Sequence, residues 1–407
     1  MKDALFSRRK LLQGAGCLAV ASMLPDIHVA FAAAPVEQRF IFVILRGAMD
    51  GLATIPPYGD RSYKSARGSI ALPSSAYTPL DDFYAAHKSL ASFSDMFKKG
   101  EAAVIHAVST PYRDRSHFDA QNVLESGAAT AHGLRDGWLN RAISLYGQRE
   151  SSLGLAVGQT IPLALQGAAP VGTWAPAADG LPADTLLIAL ERLYQKDQLF
   201  HTALSQAVDV HNIADGAVEG GMFGKKTGGR RGLQGREAME KTVSAVGKIL
   251  SDPQGPRIAT IEVGGWDTHA QQGAEQGALA NLLLALDAGL KTMKASLGPH
   301  WKNTVVLVAT EFGRTVAGNG TGGTDHGTAS CALLLGGAVN GGKVYADWPG
   351  LDKNALYEGR DLRPTTDLRQ VAKSILYDHL HLKDADIERS VFPESSRAHG
   401  IDGLIRT

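Results

Sequence analysis

The sequence predicts an α/β protein, a three-layer sandwich with a mostly parallel central sheet. Two observations carry this. Six short apolar runs are continuous rather than alternating, as strands buried on both faces require. Amphipathic helical patterns separate most of these runs, giving the β-α-β-α order of a sheet with helices on both faces. The chain has 407 residues, 44% hydrophobic and 20% charged, enough apolar material for a sizeable core.

In chain order, strands are expected at Arg39 to Leu45, Ala102 to Val108, Ser152 to Val157, Arg257 to Val263, Thr304 to Thr310 and Ser330 to Leu335. Their continuous hydrophobicity favours parallel pairing. Helices are expected at about 87–98, 117–127, 184–210, 236–251, 274–297 and 366–380, the last started by Thr365 or Thr366 as N-cap. A Gly-rich basic stretch, Gly220 to Arg236, is expected to be a flexible loop, and the segment 150–235 to form a cap or side subdomain on one domain spanning 33–407.

Residues 1–32 have the order of a twin-arginine export signal. Arg8 and Arg9 precede a mildly apolar stretch from Leu11 to Leu24, and Ala30-Phe31-Ala32 supplies small residues for cleavage. The apolar stretch is shorter than the roughly 20 residues of a membrane span, so the expectation is a periplasmic or extracellular protein without a stable span, partnered by the twin-arginine translocase during export. Cleavage removes Cys17 and leaves Cys331 as the sole thiol, which excludes an intramolecular disulfide. Lys+Arg and Asp+Glu are both 41, so no basic excess points to nucleic acid.

In open parallel sheets chemistry gathers at the carboxyl ends of the strands, and here acids and histidines follow four of them. Asp50 follows the first strand, and Arg113, Arg115, Ser116, His117 and Asp119 follow the second. Asp267 and His269 come after the Arg257 run, and Glu311, Arg314, Asp325 and His326 after the Thr304 run. Each alone is ordinary loop chemistry: Asp50-Gly51 makes a turn, and Asp325-His326 lies among turn glycines. Together they predict a shared metal site, and mixed oxygen and nitrogen ligands suit zinc, manganese or a mixed dinuclear site. Other motifs carry less. Gly337 to Lys343 nearly spells a phosphate-binding loop but lacks the hydroxyl after the lysine, so it is expected to be a turn between strands. Neither Gly-x-Ser-x-Gly nor a Gly-x-Gly-x-x-Gly after the first strand is present. His106, among apolar neighbours, is expected to be a core histidine.

The segments FVILRGAMDGL, RSHFDAQNVLESG, GGWDTHAQQ, and ATEFGRT followed by GTDHGTAS resemble a twin-arginine-exported bacterial family, domain of unknown function fifteen-oh-one. That family is placed in the alkaline phosphatase and sulfatase-like superfamily. The resemblance implies an alkaline-phosphatase-like fold and a metal-dependent hydrolase of phosphate or sulfate esters, with a small anionic ester as substrate. It implies Asp50, Asp267, His269, Glu311 and His326 as ligands, with Asp325 beside them, for one or two divalent ions, zinc first and manganese or calcium as alternatives. Ser116, at a predicted helix start, would be the nucleophile, with His117 in the same turn as a catalytic group or ligand. Arg46, Arg115 and Arg314 would bind the ester's oxyanion. This sequence has Glu311-Phe312-Gly313 where phosphatases have Asp-His-Gly, which removes one histidine ligand, and the sulfatase motif Cys/Ser-x-Pro-x-Arg is missing. The alternative is a noncatalytic envelope protein of the same fold that binds a partner or polysaccharide.

Overall fold

The computed structural model describes residues 36–147, 153–176 and 235–406, together with positions 190, 193, 194 and 204. The expected export signal, the helix at 184–210 but for those isolated positions, and nearly all of the Gly-rich stretch lie outside the described residues. Among the described residues no helix is long and apolar enough to cross a membrane.

Eleven strands are described: β1 (Arg39–Leu45), β2 (Tyr77–Pro79), β3 (Ala85–His87), β4 (Ala102–Ser109), β5 (Gly154–Val157), β6 (Val171–Trp174), β7 (Ile258–Val263), β8 (Thr304–Thr310), β9 (Ser330–Leu335), β10 (Val344–Tyr345) and β11 (Thr366–Asp367). Nine form one sheet in the order β10-β4-β9-β8-β1-β7-β5-β6, with β11 also on β4, while β2 and β3 make a separate hairpin. Helices α1 (Gly51–Thr54), α2 (Tyr63–Arg67), α3 (Ala91–Lys98), α4 (His117–Ser126), α5 (Trp138–Ser144), α6 (Arg236–Ser251), α7 (Ala278–Leu297) and α8 (Leu368–Ser374) are the main helical segments.

The alternation of β1 assigns the layers. Ile41, Val43 and Leu45 point into a core closed by α3, α6 and α7, whereas Phe40, Phe42 and Ile44 point into a second core closed by α5 and α8. Every residue of β1, β4, β8 and β9 is buried, which explains why those runs are continuous rather than alternating. The structure is therefore the expected three-layer α/β sandwich with a mostly parallel sheet.

Register places the chemistry. β1 is parallel to both β7 and β8, with Leu45 level with Val263 on one side and Thr310 on the other. The loops beginning at Arg46, Gly264 and Glu311 thus leave one rim at the same height. β9 departs from the parallel expectation: it runs antiparallel to both β4 and β8. The loop 311–329 brings the chain back to pair beside β8 without a crossover helix, and all-apolar composition reports burial on two faces rather than strand direction. This reversal puts the amino end of β9, just after His326, on the same rim.

Other boundaries moved for local reasons. The helix expected from 87 starts at Ala91, because Ala85–His87 pairs as β3. The last helix is capped by Asp367 with a Gln370 capping box, not by Thr365 or Thr366. Residues 154–174, expected in a side subdomain, supply β5 and β6 to the main sheet. Gly337–Lys343 is the expected turn between strands β9 and β10.

Candidate metal centre

Asp267 leaves the rim after β7 through Gly264 and Gly265, and His269 follows two residues later. His117 opens α4, and His326 precedes β9. Ligand atoms of His117, Asp267 and His326 lie within 4.8 Å of one another. His326 Nε2 stands 3.0 Å from His117 Nε2 and 3.0 Å from His269 Nε2. Asp267 Oδ1 lies 3.0 Å from His269 Nε2 and 3.3 Å from His326 Nε2, and its Oδ2 lies 3.5 Å from His117 Nε2.

The other ring nitrogen of each histidine is committed to an acceptor. His117 Nδ1 donates to Glu311 Oε1 at 2.8 Å, His326 Nδ1 to the Arg115 carbonyl at 3.0 Å, and His269 Nδ1 to Asp325 Oδ1 at 3.0 Å. With Nδ1–H donated outward, each Nε2 presents a lone pair inward. Facing lone pairs at 3.0 Å repel unless a cation or a shared proton lies between them. Donors each about 2.0–2.1 Å from a zinc ion stand about 3.3 Å apart, and the separations of 3.0–3.5 Å among His117, His326 and Asp267 are of that size, with His269 Nε2 a further 3.0 Å from His326 Nε2 and from Asp267 Oδ1. The outward carboxylates and carbonyl are the supports that metal-bound histidines use. The donor set thus fits a borderline divalent ion, with His117, His326 and Asp267 to hold it and His269 beside them.

The electrostatics are consistent with a cation site. The hydrogen bond donated to Glu311 raises the His117 pKa, whereas burial and neighbouring His117 lower that of His326. Burial pushes the Asp267 carboxyl up, but the Arg314 hydrogen bond and charge outweigh it and hold it low. Glu311 is likewise held low despite burial, by His117, the Gly47 N–H and Gln121. Asn319 and His269 hold Asp325 low.

The expected residues divide sharply. Asp267, His269 and His326 converge, and His117 Nε2 faces them. Glu311 and Asp325 stand one step back, orienting His117 and His269. Asp50 does not reach the cluster. It is buried, pairs with Arg67, accepts from Gln272 Nε2 at 2.7 Å and caps α1 through the Ala53 N–H. Phe312 stacks on His117 with ring centroids 4.8 Å apart and walls the site. Trp266, directly before Asp267, is fully buried in the core.

Ser116 is the N-cap of α4. Its side chain makes no capping hydrogen bond, and its N–H donates to the Tyr112 hydroxyl at 3.3 Å. The arginines expected to bind an oxyanion are engaged by carboxylates. Arg46 lies between Glu125 and Glu262, Arg115 between Glu358 and Asp361, and buried Arg314 bonds Asp267 Oδ1 at 2.5 Å. His106 is a core histidine, bonded to the Ile55 carbonyl, with its pKa lowered by burial to about 4. Cys331 is buried and burial raises its thiol pKa, so it offers no ready thiolate.

Sequence reasoning missed Arg67, Gln272 and Asp361. Gln272 accepts from Thr268 and Thr324 hydroxyls while donating to Asp50, and Thr324 in turn accepts from Arg314 Nε. A chain of buried polar groups thus runs from Arg67 to Asp267. Nothing in their local sequence marks these residues, because the partners that tie them to the site, Asp50 for Gln272, Thr315 and Val316 for Arg67, and Arg115 for Asp361, are distant in the chain.

The model of a family described as "Protein of unknown function (DUF1501)" matches residues 37–391. No curated protein matches the chain. Among solved structures it is similar to Ps i-CgsB in complex with k-i-k-neocarrahexaose (9% identity, TM-score 0.43, covering 89% of this chain and 77% of that one). It is also similar to the zinc complex of the C-terminal periplasmic domain of EcEptC from Escherichia coli (12%, 0.40, 91% and 92%) and to PsFucS1 sulfatase from Pseudoalteromonas sp. (11%, 0.40, 91% and 73%).

Proposed function

We propose that this chain, which belongs to the DUF1501 family of proteins of unknown function, is a hydrolase of phosphate or sulfate esters that depends on one divalent ion, zinc by its donor chemistry. The observation that carries the reading is the convergence of three inward imidazole nitrogens and one carboxylate, each imidazole braced from behind. The neutralisation of the Asp50 charge by buried Arg67 supports one ion rather than two.

When bound, such an ion supplies Lewis-acid polarisation of an ester oxygen. The chain's own residues do the rest. Glu311 and Asp325 keep His117 and His269 in the inward-facing tautomer, and Arg314 holds Asp267 ionised. Phe312 excludes water from one side of His117. Ser116 offers its hydroxyl at the amino end of α4, where the helix dipole favours developing negative charge.

The test is metal content of the folded protein together with turnover of a panel of phosphate and sulfate monoesters. One zinc per chain and turnover are expected, both lost in an Asp267→Ala, His326→Ala variant, with turnover alone lost in Ser116→Ala. A second reading, a noncatalytic metal-binding protein, is favoured by the engagement of Arg46, Arg115 and Arg314 with carboxylates, which leaves those guanidinium groups unavailable to an oxyanion. Zinc without turnover of any ester would select it, and no zinc after reloading would overturn both.

A further inference from the structure

We propose that Asp361 is a positioning residue for the metal centre: through Arg115 and Arg360 it holds the His326 ring with Nε2 turned to the ion. The inference rests on the metal-centre reading above. Asp361 is fully buried and accepts from Arg115 Nε and from Arg360 Nε, each at 2.8 Å. These two arginines grip His326 at separate points. The Arg115 carbonyl accepts from His326 Nδ1 at 3.0 Å, and Arg360 Nη2 donates to the His326 carbonyl. One carboxylate therefore ties the side chains of both residues that fix the backbone and ring of the ligand.

Arg115 carries a second mark of the arrangement. Its φ is +63°, a left-handed conformation unfavourable for a non-glycine residue. The residue whose carbonyl sets the His326 tautomer is thus the one held in an unfavourable conformation, and its guanidinium is anchored by Asp361. Asp361 is itself fixed: it exchanges two backbone hydrogen bonds with Tyr357, at 2.8 and 3.0 Å, and bridges Thr315, the neighbour of Arg314, which in turn bridges His326. A buried ion pair serving only the turn at 357–361 would need no such connection to His326.

The test compares the wild-type chain with Asp361→Asn and with Glu358→Gln, which removes only the exposed partner of Arg115. Zinc affinity is measured by competition with a chromophoric chelator, and the His326 tautomer in the metal-free protein by imidazole nitrogen NMR. Asp361→Asn should weaken zinc binding about 10–100-fold and convert a single Nδ1–H tautomer of His326 into a mixture, while Glu358→Gln changes neither. Should Asp361→Asn fail to fold, Arg115→Gly, which adopts the left-handed conformation without strain but lacks the guanidinium, should give the same two changes. Unchanged affinity and tautomer in the folded variant would overturn the proposal. If the wild-type chain itself takes up no zinc, the metal reading fails separately. The His326 tautomer then decides this one: a mixture in the variant supports it, and a tautomer identical to wild type overturns it.

Discussion

Replacing Arg67 by Met should destabilise the protein by about 3–5 kcal/mol, the cost of leaving one member of a buried ion pair without its partner. The side chains of Arg67 and Asp50 are 0% and 1% exposed. Without the guanidinium, the Asp50 carboxylate keeps only two neutral donors, Gln272 Nε2 at 2.7 Å and the Ala53 N–H at 3.2 Å. The carbonyls of Thr315 and Val316, now bonded by Arg67 Nη1 at 3.2 and 2.9 Å, lose their donor as well. Methionine conserves much of the volume, so the loss reports charge and hydrogen bonding rather than a cavity. The assay is urea denaturation of metal-free protein, with Asp50→Asn, Arg67→Met as the partner variant. Removing the stranded charge should recover at least half of the loss. A single variant within about 0.5 kcal/mol of wild type, a value typical of ordinary surface changes, would refute the reasoning, as would a double variant no better than the single. Asp50→Asn alone should retain one zinc per chain. Loss of zinc with the fold intact would return Asp50 to the ligand set.

Two further outcomes are expected. His106 and His379 are buried, and burial lowers both pKa values from 6.5 to about 4. The unfolded chain therefore takes up protons that the native state refuses. Stability should be fully present above about pH 6.5 and fall toward pH 4 by about 1.4 kcal/mol per pH unit for each histidine. Urea midpoints of metal-free protein at pH 7.5 and 5 check this, with a shallower dependence expected in His379→Gln; equal midpoints in wild type would contradict it. Gly47 has φ +116°, and a Cβ there would stand 2.5 Å from the Asp267 backbone nitrogen, so Gly47→Ala must displace Asp267. Zinc affinity should drop by at least about 10-fold, whereas Gly359→Ala, also at positive φ but in open space, should lose about 1 kcal/mol of stability and no affinity. Wild-type affinity in Gly47→Ala would show that Asp267 does not bind the ion.

Much of this was legible in the chain itself. Thr304–Thr310 and Ser330–Leu335 could be delimited to the residue because burial on both faces demands uninterrupted apolar runs. Asp267, His269 and His326 were visible because carboxylates and imidazoles directly after strands are unusual enough to notice when several occur together. The direction of β9 was not legible, since apolar composition does not encode parallel or antiparallel pairing, yet that direction brings His326 to the rim. Nor was the division of the acids. Asp50, Asp267 and Glu311 are equivalent as sequence, and only tertiary contact decided that Arg67 takes the first, the three imidazoles surround the second, and the third braces His117. Asp361 was invisible for the same reason: Arg115, which it anchors, and His326, which the Arg115 carbonyl holds, lie far from it along the chain. Local pattern determined which residues could do chemistry, because strand ends and turn glycines are short-range features. Which of them share an ion was decided by the packing of distant loops on one rim, where each charge takes the partner that burial leaves within reach.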